Sequence, residues 1–344
     1  LFAGIVPMAG WAPIELLSNV QHNFPLVFHG DTDDAVSVEF SRAAVARLGA
    51  LLITHRYEEK AGVGHESAMI SDVLPEVAKW MRDRRRVTNP AEINLRAYTP
   101  ARGKAWWLSM HRTREFPKIA GLSGRVDPSG RVLIHTFNLD KFAVDPALLP
   151  ARPAADILPV TVDEQDLTTA TLAAGQIYLY EIKDAKWSVR IAPMEYFRPE
   201  PMPMRYSAGV AIELLPKLLA GIMARAAKAD TGLMIPTLVP PEFPGVAMSI
   251  EQVIDLFCRP EDELCVAEIS VFDFNNLMEN PTWSSKWWAK PIYSPNPAET
   301  DPRAMIRVVM PRVIANRFPV RSEGIGISLR EVLVREILTR GTLQ

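Results

Sequence analysis

Two short loops hold the residues best suited to chemistry. The first is His29-Gly30-Asp31-Thr32-Asp33-Asp34-Ala35-Val36, with three carboxylates within four positions; the second is Gly62-Val63-Gly64-His65. An imidazole titrates near neutrality, so it can take a proton from a hydroxyl and return it to a leaving group. A buried carboxylate on its far nitrogen would fix the tautomer and stabilise the imidazolium. His65 is the candidate base. Asp31, Asp33 and Asp34 are each placed to be its partner.

The elements around these loops are those that would aim them. Leu26, Val27 and Phe28 form an apolar run of strand length that ends in His29-Gly30, and glycine lets the chain turn sharply there. The carboxylates then fall at the C-terminal end of a buried strand, the edge where ligands gather in open α/β sheets. Phe2 to Met8 reads as a further short buried strand, and Ile14 to Val20 as a linker or single helical turn. Phe40, Ala44, Val45 and Leu48 give a helical spacing over Val38 to Leu48. Leu51 to Tyr57 reads as a strand. Ser71-Asp72 opens a helix with the stripe Val73, Leu74, Val77, Trp80 and Met81, which closes in the basic run before Val87. Strand and helix in alternation predict a parallel sheet with helices on its faces.

Residues 1–86 resemble the C-terminal third of an α/β-hydrolase, of the dienelactone-hydrolase and prolyl-oligopeptidase-like esterase branch. There a strand ending His-Gly-x-x-Asp-x-x-Val carries the triad acid, and a Gly-x-Gly-His loop the base. The resemblance implies Asp33 as acid, with Asp31 and Asp34 as substitutes, and His65 as base. It implies a serine hydrolase of carboxylic esters acting on a small ester substrate, with peptide or amide bonds second. It also implies a periplasmic or secreted location. His29 is expected to be structural and Asp34 a turn-former. The nucleophile motif Gly-x-Ser-x-Gly does not occur; the nearest segments are Gly121-Leu122-Ser123-Gly124 and Tyr206-Ser207-Ala208-Gly209. The chain opens on Leu1 without Met, so the expectation is a processed or partial product with its serine upstream. Its partner would be the missing N-terminal hydrolase segment or another subunit. The alternative is a non-catalytic binding or assembly protein that kept a hydrolase-like fold and lacks the nucleophile.

Residues 87–201 are expected to be β-rich. Short alternating segments at Ile93–Tyr98, Ala105–Met110, Arg131–Thr136, Ile177–Ile182 and Trp187–Ile191, with turns such as Asp127-Pro128-Ser129-Gly130, predict a sandwich-like domain. It resembles the β-rich extension of some large bacterial esterases through Trp106-Trp107-Leu108 and Thr136-Phe137-Asn138. One of the two tryptophans should be in the core and the other at the surface.

Residues 202–344 read as an α+β region. It has a helix within Val210 to Ala227, broken at or starting near Pro216, and a strand at Gly232 to Ile235. A Ser-capped helix follows over Met248 to Phe257, then a strand at Glu263 to Ile269. A terminal helix has Ser328 and Glu331 as a capping box. This order resembles a 5'-nucleotidase C-terminal domain, with Ala229-Asp230 and Leu256-Phe257 at matching places. The family's Asn-Gly-Gly-x-Arg loop is replaced by Ile235-Pro236-Thr237-Leu238, so nucleotide binding is not implied. Trp283, Trp287 and Trp288 read as packing residues.

Composition bounds the rest. The 344 residues carry 38 basic and 40 acidic side chains, so no bulk charge draws the chain to nucleic acid. No apolar run has the length of a membrane span. Two cysteines and six histidines, all six at or before His135, suggest neither a disulfide framework nor a metal site, and no cofactor is expected. If the reading of the two loops is right, an Asp33 oxygen should lie within hydrogen-bond reach of the His65 ring, with Asp34 pointing elsewhere. Loops on opposite sides of the sheet would overturn it.

Overall fold

Leu26, Val27 and Phe28 form, with His29 and Gly30, strand β1 (Leu26–Gly30), which is buried at every position. In this computed structural model the described residues are 2–116, 118–150, 157–170, 175–197, 205–206, 215–235, 248–249, 263–280, 292–294, 301–316 and 318–340. The chain divides into two units, Leu1–Pro201 and Met202–Gln344.

In the first unit β1 pairs in parallel with β2 (Arg56–Lys60), Leu26 opposite Arg56 and Gly30 opposite Lys60. On its other side the chain from Ile5 to Ala9 runs alongside. The Leu26 N–H donates to the Ile5 carbonyl and the Phe28 N–H to that of Pro7. Pro7 has no N–H to return a bond. The strand expected over Phe2 to Met8 is therefore reduced to two isolated bridges, Ile5 to Pro25 and Met8 to Phe28. Helix α1 (Val38–Ala50) starts at Ser37, whose side chain accepts from the Glu39 N–H. Helix α2 (Ser67–Arg82) drives Val73 and Val77 onto Leu26 and Phe28.

The strand expected at Leu51 to Tyr57 begins later, at Arg56. Leu51 and Leu52 are used to close α1, the Leu51 N–H bonding to the Arg47 carbonyl, and Leu52 sits at φ +56° with 92 % exposure. The segment is thus mixed α/β, but among the described residues its parallel sheet has two strands. The larger sheet of an α/β-hydrolase is not present among them.

The β-rich part forms strands β3 (Glu92–Ala97), β4 (Lys104–Ala105), β5 (Leu108–Thr113), β6 (Ala120–Val126), β7 (Val132–Phe137) and β8 (Leu139–Val144). Further along come β9 (Ile157–Leu158), β10 (Val160–Val162), β11 (Gln165–Asp166), β12 (Thr169–Ala170), β13 (Gln176–Lys183) and β14 (Lys186–Pro193). They make two five-stranded sheets, ordered β11-β10-β7-β6-β3 and β14-β13-β8-β5-β4, with β9 and β12 paired apart. Alternation sends Ile93, Leu95, Leu122, Ile134 and Val132 into one core with Phe142, Tyr178 and Tyr180. Phe142 stacks on Tyr180 with ring centroids 4.7 Å apart. Trp107 is fully buried and lies over Gly124, where a Cβ would stand 2.4 Å from its indole. Trp106 occupies the turn at φ +45° and is only partly buried.

Among the described residues strand β3 is an edge, and the N-terminal part holds it. From the 3-10 segment Ile14–Val20, the Asn19 amide donates to the Arg96 carbonyl at 2.8 Å and accepts from the Arg96 N–H at 2.7 Å. His22 Nε2 donates to the Glu92 carbonyl at 2.8 Å, two pairs back along the same edge. An Asn side chain here stands in for the next strand.

The second unit centres on a five-stranded sheet. Its strands are β16 (Thr231–Met234), β18 (Glu263–Ser270), β19 (Ile292–Ser294), β20 (Met305–Pro311) and β21 (Ser322–Ser328), in the order β19-β16-β20-β18-β21. Two short strands, β15 (Arg205–Tyr206) and β17 (Met248–Ser249), pair separately. Helix α3 (Leu215–Ala227) begins beside Pro216, where a missing N–H costs nothing. Helix α4 (Val271–Glu279) buries Val271, Phe274 and Met278, and α5 (Arg312–Ala315) is a single turn. In α6 (Leu329–Arg340) the expected capping box is formed: the Glu331 N–H donates to Ser328 Oγ at 3.1 Å, and the Ser328 N–H to Glu331 Oε2 at 2.8 Å. The helix expected after Ser249 and the tryptophans 283, 287 and 288 lie outside the described residues. Among the described residues no helix is long and apolar enough to cross a membrane.

Replacing Asn19 by Ala removes both bonds to Arg96 and should lower the free energy of unfolding by ~1–3 kcal/mol, read by urea denaturation. A variant as stable as the parent would show that the side chain contributes nothing to holding the edge.

Candidate acid–base site

Gly30 brings the two loops together. A Cβ at this position would lie 2.0 Å from the Val63 carbonyl oxygen, so only glycine allows the end of β1 to pass this close to the loop after β2. The crossing is then bonded on both sides: the Thr32 N–H donates to the Val63 carbonyl at 3.1 Å, and the Gly62 N–H to Asp31 Oδ1 at 2.6 Å. Gly62 itself has φ +70°, the left-handed region. Asp31 is thereby a loop tie rather than a partner of the histidine.

Asp33 is the carboxylate that meets His65. Its Oδ2 accepts from His65 Nδ1 at 2.9 Å, and its Oδ1 from the backbone N–H groups of Ala35 at 3.0 Å and Val36 at 2.7 Å. The Asp33 side chain is 0 % exposed and that of His65 47 %. Burial by itself would raise the Asp33 pKa; the Val36 N–H, the His65 hydrogen bond and charge, and the Ala35 N–H outweigh it, and the group is held below its ordinary 3.8. An ionised carboxylate only accepts, so Nδ1 of His65 carries hydrogen. Its Nε2 is then the basic nitrogen of the neutral ring.

His29 lies beneath. Its Nε2 is 2.9 Å from the Val36 carbonyl and 3.3 Å from Asp33 Oδ2, and Nδ1 is 2.7 Å from Ser41 Oγ. The carbonyl can only accept, so Nε2 is a donor, and the ring packs the floor of the loop as the sequence suggested. Asp34 is exposed. The residue that sequence reasoning missed is Ser41. It lies one turn into α1 and is buried with Val38 and Leu48, and a hydroxyl on the apolar face of a helix was the available signal.

Among the described residues no serine, threonine or cysteine side chain is hydrogen-bonded to the His65 ring. Ser123 lies on β6 in the sandwich, its Oγ donating to the His135 carbonyl at 3.4 Å, and Ser207 lies outside the described residues. No group of three or more His, Cys, Asp and Glu side chains is placed to hold a metal ion among the described residues.

No family model and no curated protein matches the chain. Among solved structures it is similar to a 5'-nucleotidase precursor from Thermus thermophilus, with 16 % identity and a TM-score of 0.34 over 58 % of this chain. The match spans 54 % of that protein, about half its length. So slight a likeness assigns no activity. The expectation of a serine hydrolase of carboxylic esters, of the α/β-hydrolase and prolyl-oligopeptidase-like esterase kind, is corrected, because its physical basis is incomplete. The parallel sheet stops at β1 and β2 among the described residues, and the sequence has no Gly-x-Ser-x-Gly elbow.

Two substitutions test the geometry. Gly30→Ala forces the loops apart and should cost ~1–3 kcal/mol in thermal or urea unfolding, with the His65 to Asp33 bond lost. For Asp33 the folded pKa lies below the ordinary 3.8. Its contribution to stability is therefore full above that value and is lost as pH falls through the folded pKa. The stability gap between the parent and Asp33→Asn should narrow as the pH drops below 3.8; a gap independent of pH would mean that the carboxylate charge does not matter.

Proposed function

We propose that Asp33 and His65 form an acid–base dyad that moves a proton on a bound hydroxyl or water. The observation that supports it is the 2.9 Å bond between a carboxylate fully withdrawn from solvent and an imidazole that is half exposed. The hidden partner fixes the ring; the reachable nitrogen does the work. Nε2 of His65 takes the proton, Asp33 stabilises the resulting imidazolium, and the proton is then given to the group that leaves. The hydroxyl is supplied by the bound reactant or by another chain. Residues 1–86 would be the part that carries the dyad, with 87–201 and 202–344 following it in the sequence.

The test is the tautomer. In nitrogen-detected NMR of the full chain at pH 8, His65 should be a single Nδ1–H species, and Asp33→Asn should shift it toward a mixture with Nε2–H. A parent ring already in the Nε2–H form would leave no base at the reachable nitrogen and remove the proposal.

For residues 202–344 we infer that a likeness to the 5'-nucleotidase C-terminal domain stops short of binding a nucleoside. Support comes from Ile235-Pro236-Thr237-Leu238, which replaces the family's Asn-Gly-Gly-x-Arg loop. Calorimetric titration with adenosine should show no saturable heat; a clear isotherm would restore nucleoside recognition to this region.

A further inference from the structure

The outward face of the β-sandwich carries a second polar site, separate from the dyad. Since Ile93, Leu95, Leu122, Val132 and Ile134 point into the core, alternation turns the residues between them outward. Pairing then sets them in rows. Arg96 stands opposite Gly121, and Gly121 opposite Phe137; in the next row Asn94 faces Ser123 and Ser123 faces His135. With no side chain on Gly121, the Arg96 guanidinium lies across it. A Cβ there would be 2.2 Å from Arg96 Nη1, and the guanidinium carbon sits 5.6 Å from the Phe137 ring centroid. The arginine is laid flat along the sheet by its neighbours.

Above this face the 3-10 segment and the C-terminal end of α1 form a roof, and between them is a cavity of about 230 Å³. Arg47 lines it from α1 and Arg96 from β3. Neither guanidinium has an acidic partner among the described residues. The one carboxylate in the lining, Glu15, is engaged by the Tyr98 hydroxyl. Ser18 also lines the cavity, and its Oγ is buried without a hydrogen-bond partner.

We propose that this cavity binds a small organic oxyanion, a phosphate monoester or a carboxylate, held by Arg47 and Arg96. The chemistry is that of the guanidinium, whose planar fork matches both groups and forms charge-assisted bonds to them. The size agrees: the cavity is smaller than the ~300–1,000 Å³ of pockets that engulf drug-sized ligands. Leu51, Ile53 and Phe137 give the carbon part of the ligand an apolar wall.

The test is calorimetric titration of the full chain at low salt, with inorganic phosphate and with succinate in separate runs. The expected result is saturable binding of at least one, weakened tenfold or more by Arg96→Gln and by Arg47→Gln. Arg42→Gln, on the same helix but tied to Glu39 and Glu59, should bind as the parent does. Binding of phosphate alone identifies a phosphate ligand, of succinate alone a carboxylate, and of both a site for either oxyanion. Thermal melts accompany each variant. If Arg96→Gln does not fold, Arg47→Gln on the exposed helix surface decides the matter. Binding of neither anion, affinity that survives both substitutions, or an equal loss in Arg42→Gln overturns the proposal.

Discussion

A carboxylate taken out of water must be surrounded by donors, and Asp33 sets that condition for the first part of this chain. Its two oxygens receive the N–H groups of Ala35 and Val36 and the ring of His65, with His29 a little further off. Two of those donors belong to its own loop, so the loop has to turn back on itself immediately after β1. The others come from the strand below and from the loop after β2, so the two strands must end level, as their register provides. Gly30 then permits the contact that closes the arrangement. Moving any one of these parts would leave a buried negative charge short of a partner, which costs far more than the bond itself is worth.

A different constraint governs the join to the sandwich. An edge strand has a row of unpaired backbone groups that must be satisfied or hidden. Here β3 is met by side chains rather than by another strand: Asn19 presents a carboxamide with the geometry of a peptide, and His22 a single ring nitrogen. Side chains reach further than a strand's backbone would. They hold the roof above the sheet instead of against it, and the cavity between Arg47 and Arg96 is the space that results.

What could be read in the sequence was whatever depends on local pattern. The Asp33 and His65 pair was legible because a glycine after a short apolar run fixes where the carboxylates fall. The capping box at Ser328 and Glu331 was legible for the same reason, since both residues lie within one turn. Strand limits were less so. Leu51 and Leu52 look like the start of a strand, but the end of α1 needed them first, and Pro7 prevented a regular strand where apolar content alone suggested one. Least legible were long-range partners. Nothing near residue 96 announces that Asn19 will hold its backbone, and only the pairing of three strands brings Arg96, Gly121 and Phe137 into one row. The hydrolase reading failed at this level, because matching loops do not carry a whole sheet with them.

Strand β2 has one further consequence. Among the described residues it pairs on one side alone, and four of its five residues are charged. Arg56 reaches Glu58 and, on α2, Glu76; Lys60 reaches Glu58; and Arg42 of α1 reaches Glu59. A strand joining this edge from another molecule would have to strip water from that network without offering it better partners. The edge is thus guarded against fibrillar growth while dilute salt leaves its charges intact. In brine, where such pairs are screened within a few ångströms, the guard weakens and self-association becomes easier.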